Sequence, residues 1–210
     1  MEEQSLTIDG GTGPRLEGRL SVGPGARAGL VVCHPHPLYG GDMDNPVVVR
    51  AVDVAAEAGI ATLRFNFRGV GTSEGSHGGG AGEQDDVRAA LAALRAHLPG
   101  DGPLGLAGYS FGAGVSSRVA LGGSGLAALA LIGPPLGMFD FGDLGGLSLD
   151  LLLLAGTRDQ YCPADAFARL AARLPRARAV SIEGADHFFF GKLFPLGEAV
   201  RSWATGWAGA

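Results

Sequence analysis

Lysine is nearly absent from this 210-residue chain, with Lys192 the only one, and the 16 Lys and Arg residues are outnumbered by 21 Asp and Glu. With a formal net charge of -5 and no basic run to neutralise phosphates, a nucleic-acid partner is not expected. Long apolar runs are missing too. The longest, around residues 126–132 and 147–155, fall short of a bilayer span, so no membrane partner is expected. The start, Met1 to Ser5, lacks the positive and apolar regions of a secretory signal, and a soluble cytoplasmic protein is the default expectation. Cysteine is scarce: Cys33 and Cys162 stand far apart, form no metal-type spacing and read as free thiols.

What the chain has in abundance is glycine, 37 residues of it, and buried-strand patterning. Residues 6–8 and 16–22 flank the turn 10–14 as an antiparallel opening hairpin. Continuous apolar runs at 29–33, 61–67, from Leu104, at 126–132, 149–155 and 179–182 read as strands. Helical patterns alternate with them: from the cap Asp44 or Asn45 to about Ala58, then 83–98, a stretch after Ser110, 164–174 and 193–207. The alternation predicts a single α/β domain over 1–210, with a mostly parallel sheet of about eight strands covered by helices on both faces. Ligands of such sheets bind at the carboxyl ends of the strands.

The pentapeptide that closes the third buried run is where chemistry enters. Gly108-Tyr109-Ser110-Phe111-Gly112 follows an apolar run and opens a helical pattern, as a strand–turn–helix with an exposed serine requires. Glycine richness weakens the motif, and Gly71-Thr72-Ser73-Glu74-Gly75 matches it as well. No strand abuts Ser73 and no helix follows directly, so Ser110 is the expected nucleophile and Ser73 a loop residue.

A serine needs a base, and the base needs a group that sets its tautomer and stabilises its charged form. Of five histidines, His97 lies at a helix's polar end and His77 in a glycine-rich loop. His187 follows the last short strand and is the expected base. Asp159 follows the strand at 149–155 and completes the order Ser, Asp, His. Asp186 adjoins His187, but neighbouring side chains of an extended segment point apart. Asp165 reads as a helix-start residue and Asp140 as part of an irregular loop. A metal at His34-x-His36 with Asp42 and Asp44 is the weaker reading, because a hydrolytic site needs further ligands and His187 is already engaged. No metal and no cofactor is expected, and the two histidine side chains are read as loop buttresses.

These residues carry a resemblance. Through the Ser110 turn, Gly-Thr-Arg-Asp159 and Gly-Ala-Asp-His187-Phe, the chain resembles the α/β-hydrolase superfamily over nearly its whole length. Cys-His-Pro-His-Pro-Leu-Tyr-Gly-Gly and Phe-Asn-Phe-Arg-Gly-Val-Gly-Thr-Ser-Glu-Gly look like a small, capless bacterial branch, similar to dienelactone-hydrolase-like and acyl-peptidase-like proteins. Dienelactone hydrolases proper carry cysteine where this chain has Ser110, so their reaction is not carried over. The resemblance implies an oxyanion hole from the Phe111 N–H and a second N–H after Cys33. Pro35 and Pro37 have none to give, which leaves His36 if His34 matches the superfamily's strand-end histidine, or Leu38 if His36 does.

Tyr39, Tyr109, Phe139, Phe141, Tyr161 and Phe188 to Phe190 fall on the loops of this rim and predict an apolar acyl or aryl pocket. Only residues 133–148 separate the strands at 126–132 and 149–155, too few for a lid, so the site should be open. Arg68 and Arg158 are candidates for orienting a carboxylate or for structural ion pairs. The expected function is a serine hydrolase with a small-molecule acyl substrate, foremost a carboxylesterase for short-chain or aryl esters. A thioesterase, amidase or acyltransferase with the same residues, or a non-catalytic binding protein of this fold, are the alternatives. Oligomeric state stays open.

Overall fold

In the computed structural model, residues 3–11 and 13–209 are described, which leaves Thr12 of the first turn outside the described residues. The chain runs β1 (Gln4–Asp9), β2 (Arg15–Ser21), β3 (Gly29–Cys33), α1 (Pro46–Glu57), β4 (Ala61–Phe65), α2 (Ala81–Ala96), β5 (Leu104–Tyr109) and α3 (Phe111–Leu121). It continues through β6 (Ala128–Ile132), β7 (Asp150–Gly156), α4 (Ala164–Arg173), β8 (Arg178–Ile182) and α5 (Leu193–Ala208). All eight strands join one sheet in the order β1-β2-β4-β3-β5-β6-β7-β8. The pairs β1/β2 and β2/β4 are antiparallel and the rest parallel.

Strand side chains alternate between two cores. Val31 and Cys33 of β3, with Leu151 and Leu153 of β7, meet Val87, Leu91 and Leu94 of α2, Val115 and Val119 of α3 and Phe167 of α4. Leu30, Val32, Leu152 and Leu154 face the other way, onto Val48, Val52 and Ala55 of α1 and Leu196, Val200 and Trp203 of α5. Burial on both faces explains the unbroken apolar runs in the sequence.

Of the element ends that differ from expectation, two have a clear local reason. The strand predicted through Phe67 stops at Phe65, because the Phe67 N–H leaves the ladder and donates to His34 Nε2 at 3.0 Å. Helix α2 starts at Ala81, two residues before Glu83, whose carboxylate turns back to accept the Gly78 and Gly80 N–H groups at 2.7 Å each. Of the two caps proposed for α1, Asn45 takes the role, accepting the Val47 N–H through its side chain at 3.0 Å.

His34 ties the loop after β3 to the loop after β4. With Nε2 accepting from Phe67, its proton sits on Nδ1, which lies 2.6 Å from the Pro35 carbonyl. Burial pushes its pKa from 6.5 down to about 4. The folded protein thus keeps His34 neutral while the unfolded chain takes up a proton first as pH falls below 6.5. Stability from this residue is whole above that value and is lost on descent towards about 4, by up to roughly 3 kcal/mol. Denaturant unfolding between neutral and acidic pH should show this loss, and His34→Gln should show a smaller pH dependence.

Candidate active site

The parallel strands β3 and β5 to β8 deliver their carboxyl ends to one rim, and the candidate residues sit in the connections that leave it. Between β5 and α3 the chain turns so sharply that Ser110 adopts φ 55° and ψ -116°. Left-handed backbone at a non-glycine residue costs about 1–3 kcal/mol and persists only where its surroundings enforce it. They do so here. The Ser110 N–H donates to the Ile132 carbonyl at 2.9 Å, and the backbones flanking the turn nearly touch. A Cβ on Gly108 would lie 2.2 Å from the Gly112 carbonyl oxygen, and one on Gly112 2.6 Å from that of Cys33. Both glycines are therefore steric requirements of the turn.

Ser110 Oγ lies 2.9 Å from His187 Nε2, and His187 Nδ1 lies 2.8 and 3.0 Å from the two carboxylate oxygens of Asp159. A carboxylate can only accept from the ring, so the proton is on Nδ1 and Nε2 is left to accept from the serine hydroxyl. Asp159 is itself fixed, because its Oδ1 accepts the Tyr161 and Cys162 N–H groups at 2.8 and 3.0 Å. The Tyr109 hydroxyl donates to the His187 carbonyl at 2.9 Å, and the Tyr161 ring meets the imidazole edge-on with centroids 4.7 Å apart. Asp159 and His187 are buried, while Ser110 opens onto a cavity.

The other carboxylates lie elsewhere. Asp186 points away from its neighbour His187 and accepts the Phe190 N–H at 3.3 Å. Asp165 pairs with Arg169 at 2.7 Å on exposed α4, and Asp140 accepts the Gly142 N–H at 2.9 Å. Arg68 is committed to buried Asp86 at 2.7 Å, a structural ion pair, and Arg158 does not line the cavity. Ser73 is a buried link: its hydroxyl donates to the Asn66 carbonyl at 2.7 Å and accepts the Glu17 N–H at 3.0 Å. Ser73→Ala should therefore lower stability by about 1 kcal/mol in urea unfolding while leaving ester hydrolysis unchanged.

Two backbone donors face the question of the oxyanion. The Phe111 N–H is the first of α3 and has no partner within the helix. Of the two residues after Cys33, Leu38 donates its N–H to His36 Nδ1 at 3.2 Å, whereas the His36 N–H has no partner among the described residues. His36 also lines the cavity, and Leu38 does not. Among the described residues no group of three or more His, Cys, Asp and Glu is placed to hold a metal. His34 Nε2 and His36 Nδ1 are both occupied by backbone N–H groups.

The cavity holds about 340 Å³ and is lined by Tyr39, Tyr109, Phe139, Tyr161 and Phe188, all expected from their rim loops. Phe141 and Phe189 were expected with them but are core residues, packed into opposite faces of the sheet, and exposed Phe190 lies outside the lining. Met138, Pro135 and Asn45 complete the wall. The sequence analysis missed them, although each lies on a loop leaving a strand's carboxyl end, the signal that had marked the aromatics. No domain intervenes between β6 and β7, only a short 3₁₀ turn at Leu144–Gly146, so the mouth stays open.

This geometry agrees with what the chain is similar to. Residues 27–193 match the family model of an alpha/beta hydrolase domain. The chain belongs to the α/β-hydrolase family. A crystal structure from Xanthomonas campestris, described as an α/β serine hydrolase without a lid, is 37% identical over 100% of this chain and 97% of that one, with a TM-score of 0.89. An α/β serine hydrolase homologue from Coxiella burnetii is 34% identical over 96% of this chain and 97% of that one, with a TM-score of 0.87. An uncharacterized Rickettsia prowazekii protein is 34% identical over 90% of this chain and 84% of its own length. Like the Xanthomonas structure, this hydrolase has no domain inserted between β6 and β7. No helix among its described residues is long and apolar enough to cross a membrane.

Proposed function

We propose that this hydrolase is a carboxylesterase that works through an acyl-enzyme. The observation that carries the reading is the unbroken series from Asp159 through His187 to Ser110 Oγ, ending in an apolar cavity beside two backbone N–H groups. Ser110 attacks the ester carbonyl as His187 Nε2 takes its proton, forming a tetrahedral oxyanion that the N–H groups of Phe111 and His36 hold. His187 returns the proton to the departing alkoxide, and the acyl group stays on Ser110. Water, activated by the same imidazole, then releases the acid. Asp159 stays ionised throughout and stabilises the imidazolium.

An aromatic lining and a modest volume favour short-chain and aryl acyl groups. Phe139 is the wall that sets the depth. Its ring lies over Gly114, where an added Cβ would come within 2.6 Å of it, and it stacks edge-on against Phe111 with centroids 5.9 Å apart. Phe139→Ala should open that wall and raise kcat/KM for longer acyl chains about tenfold relative to acetyl esters. A panel of p-nitrophenyl esters of graded acyl length, with matched thioesters and anilides, tests the reading. Esters turned over fastest, with an optimum at short or aryl acyl groups, support it. Preference for thioesters or amides would redirect it, and turnover of none would remove it.

A further inference from the structure

His77 lies in a loop that reads as unstructured glycine, yet its side chain is largely buried and its ring touches both residues whose N–H groups face the oxyanion. Its centroid is 5.0 Å from that of His36 and 5.4 Å from that of Phe111, and the His36 and Phe111 rings are themselves 4.7 Å apart. Behind it, His77 Nδ1 comes within 2.9 Å of Oε1 of Glu83, a carboxylate with no exposed side-chain surface, out of line for an N–H···O hydrogen bond, so the two meet as a close approach of imidazole and charge. Glu83 also holds Gly78 and Gly80, the residues just beyond His77, through their N–H groups. A buried carboxylate is costly unless its partners satisfy it; here the two glycine N–H groups do so, and His77 is a side chain of the site that it meets.

The backbone of His36 explains what such a support is for. Its carbonyl accepts the N–H groups of Tyr39 and Gly41, both at 3.1 Å, and its Nδ1 accepts that of Leu38. The position of its remaining N–H therefore depends on where the ring is held, between Tyr39, Phe111 and His77. We propose that Glu83 and His77 are positioning residues of the oxyanion hole, Glu83 anchoring the imidazole and the imidazole fixing His36 and Phe111 at the separation the tetrahedral oxyanion needs. This rests on the esterase reading above. Neither residue touches the substrate. Their effect falls on the transition state, in which the donors bind, and spares ground-state binding.

Two variants separate this role from packing. Glu83→Gln keeps the shape and removes the charge, at the loss of one of the two glycine N–H acceptors; His77→Phe leaves those glycine bonds untouched, keeps a ring against His36 and Phe111 and removes the nitrogen that meets Glu83. Each should lower kcat for p-nitrophenyl butyrate roughly 10- to 100-fold with KM within about twofold of wild type. Affinity for a trifluoromethyl ketone, which forms the tetrahedral adduct, should fall in parallel. The double variant should be no worse than the poorer single one, because the two act as one unit. Thermal melting checks that each variant is folded at the assay temperature. Wild-type kcat in His77→Phe, or a raised KM at unchanged kcat, overturns the proposal. Fluorophosphonate labelling in the same samples keeps the two levels apart. Labelled wild type with unimpaired variants sinks this inference alone, whereas unlabelled wild type sinks the esterase reading beneath it.

Discussion

Ser110→Ala is expected to lower kcat for p-nitrophenyl esters about a millionfold, to the residue supplied by binding and the oxyanion donors. The size follows from the arrangement. Among the described residues Ser110 is the only side chain that His187 Nε2 engages, and its strained φ of 55° places the hydroxyl where an ester carbonyl enters from the cavity. Removing the hydroxyl leaves His187 with a proton to take and nothing to take it from. The turn itself should survive, since the Ser110 N–H bond to Ile132 and the contacts of Gly108 and Gly112 do not involve the side chain. KM should therefore change far less than kcat. Steady-state kinetics on folded protein, with the burst of p-nitrophenol lost, checks this. A variant retaining more than about a hundredth of wild-type kcat would point to another nucleophile.

Asp159→Asn should cost about ten-thousandfold in kcat. The asparagine fits the same space and can still accept the Tyr161 and Cys162 N–H groups through its oxygen. Its amide then presents N–H to His187 Nδ1, forcing the ring proton onto Nε2, where it blocks acceptance from Ser110. Asp186→Asn should remain within about twofold of wild type, because Asp186 bonds the Phe190 N–H and leaves the imidazole alone. The reverse order of losses would reassign the acid.

The fold and the sharp turn that carries Ser110 were legible because each is written in contiguous residues. Burial on both faces of β3, β5, β6 and β7 leaves unbroken apolar runs, and the turn at Ser110 needs small residues at fixed offsets. Asp159 was readable from its place just after β7. What was not legible depends on side chains meeting across the fold. His36 was preferred over Leu38 as second donor because His34 ends the apolar run, but that the His36 ring captures the Leu38 N–H is visible only in the fold. Phe141 and Phe189 share the rim loops of Phe139 and Phe188, and only the packed sheet shows that the first pair is core. His77 was read only as part of a glycine-rich loop, because Gly75 before it and Gly78 to Gly80 after it carry no periodicity. In the fold its ring meets His36, Phe111 and Glu83, the last of which in sequence looks only like an acid in a helix's first turn.

Ser110 is, in the proposed reaction, the group that bonds covalently to the substrate's acyl carbon. The most direct measurement is to treat the wild-type protein with a fluorophosphonate and locate the adduct by peptide mass spectrometry. One adduct per chain is predicted, on the peptide carrying Ser110, and none in Ser110→Ala. An adduct on Ser73 or any other residue, or no adduct on folded wild-type protein, would contradict it.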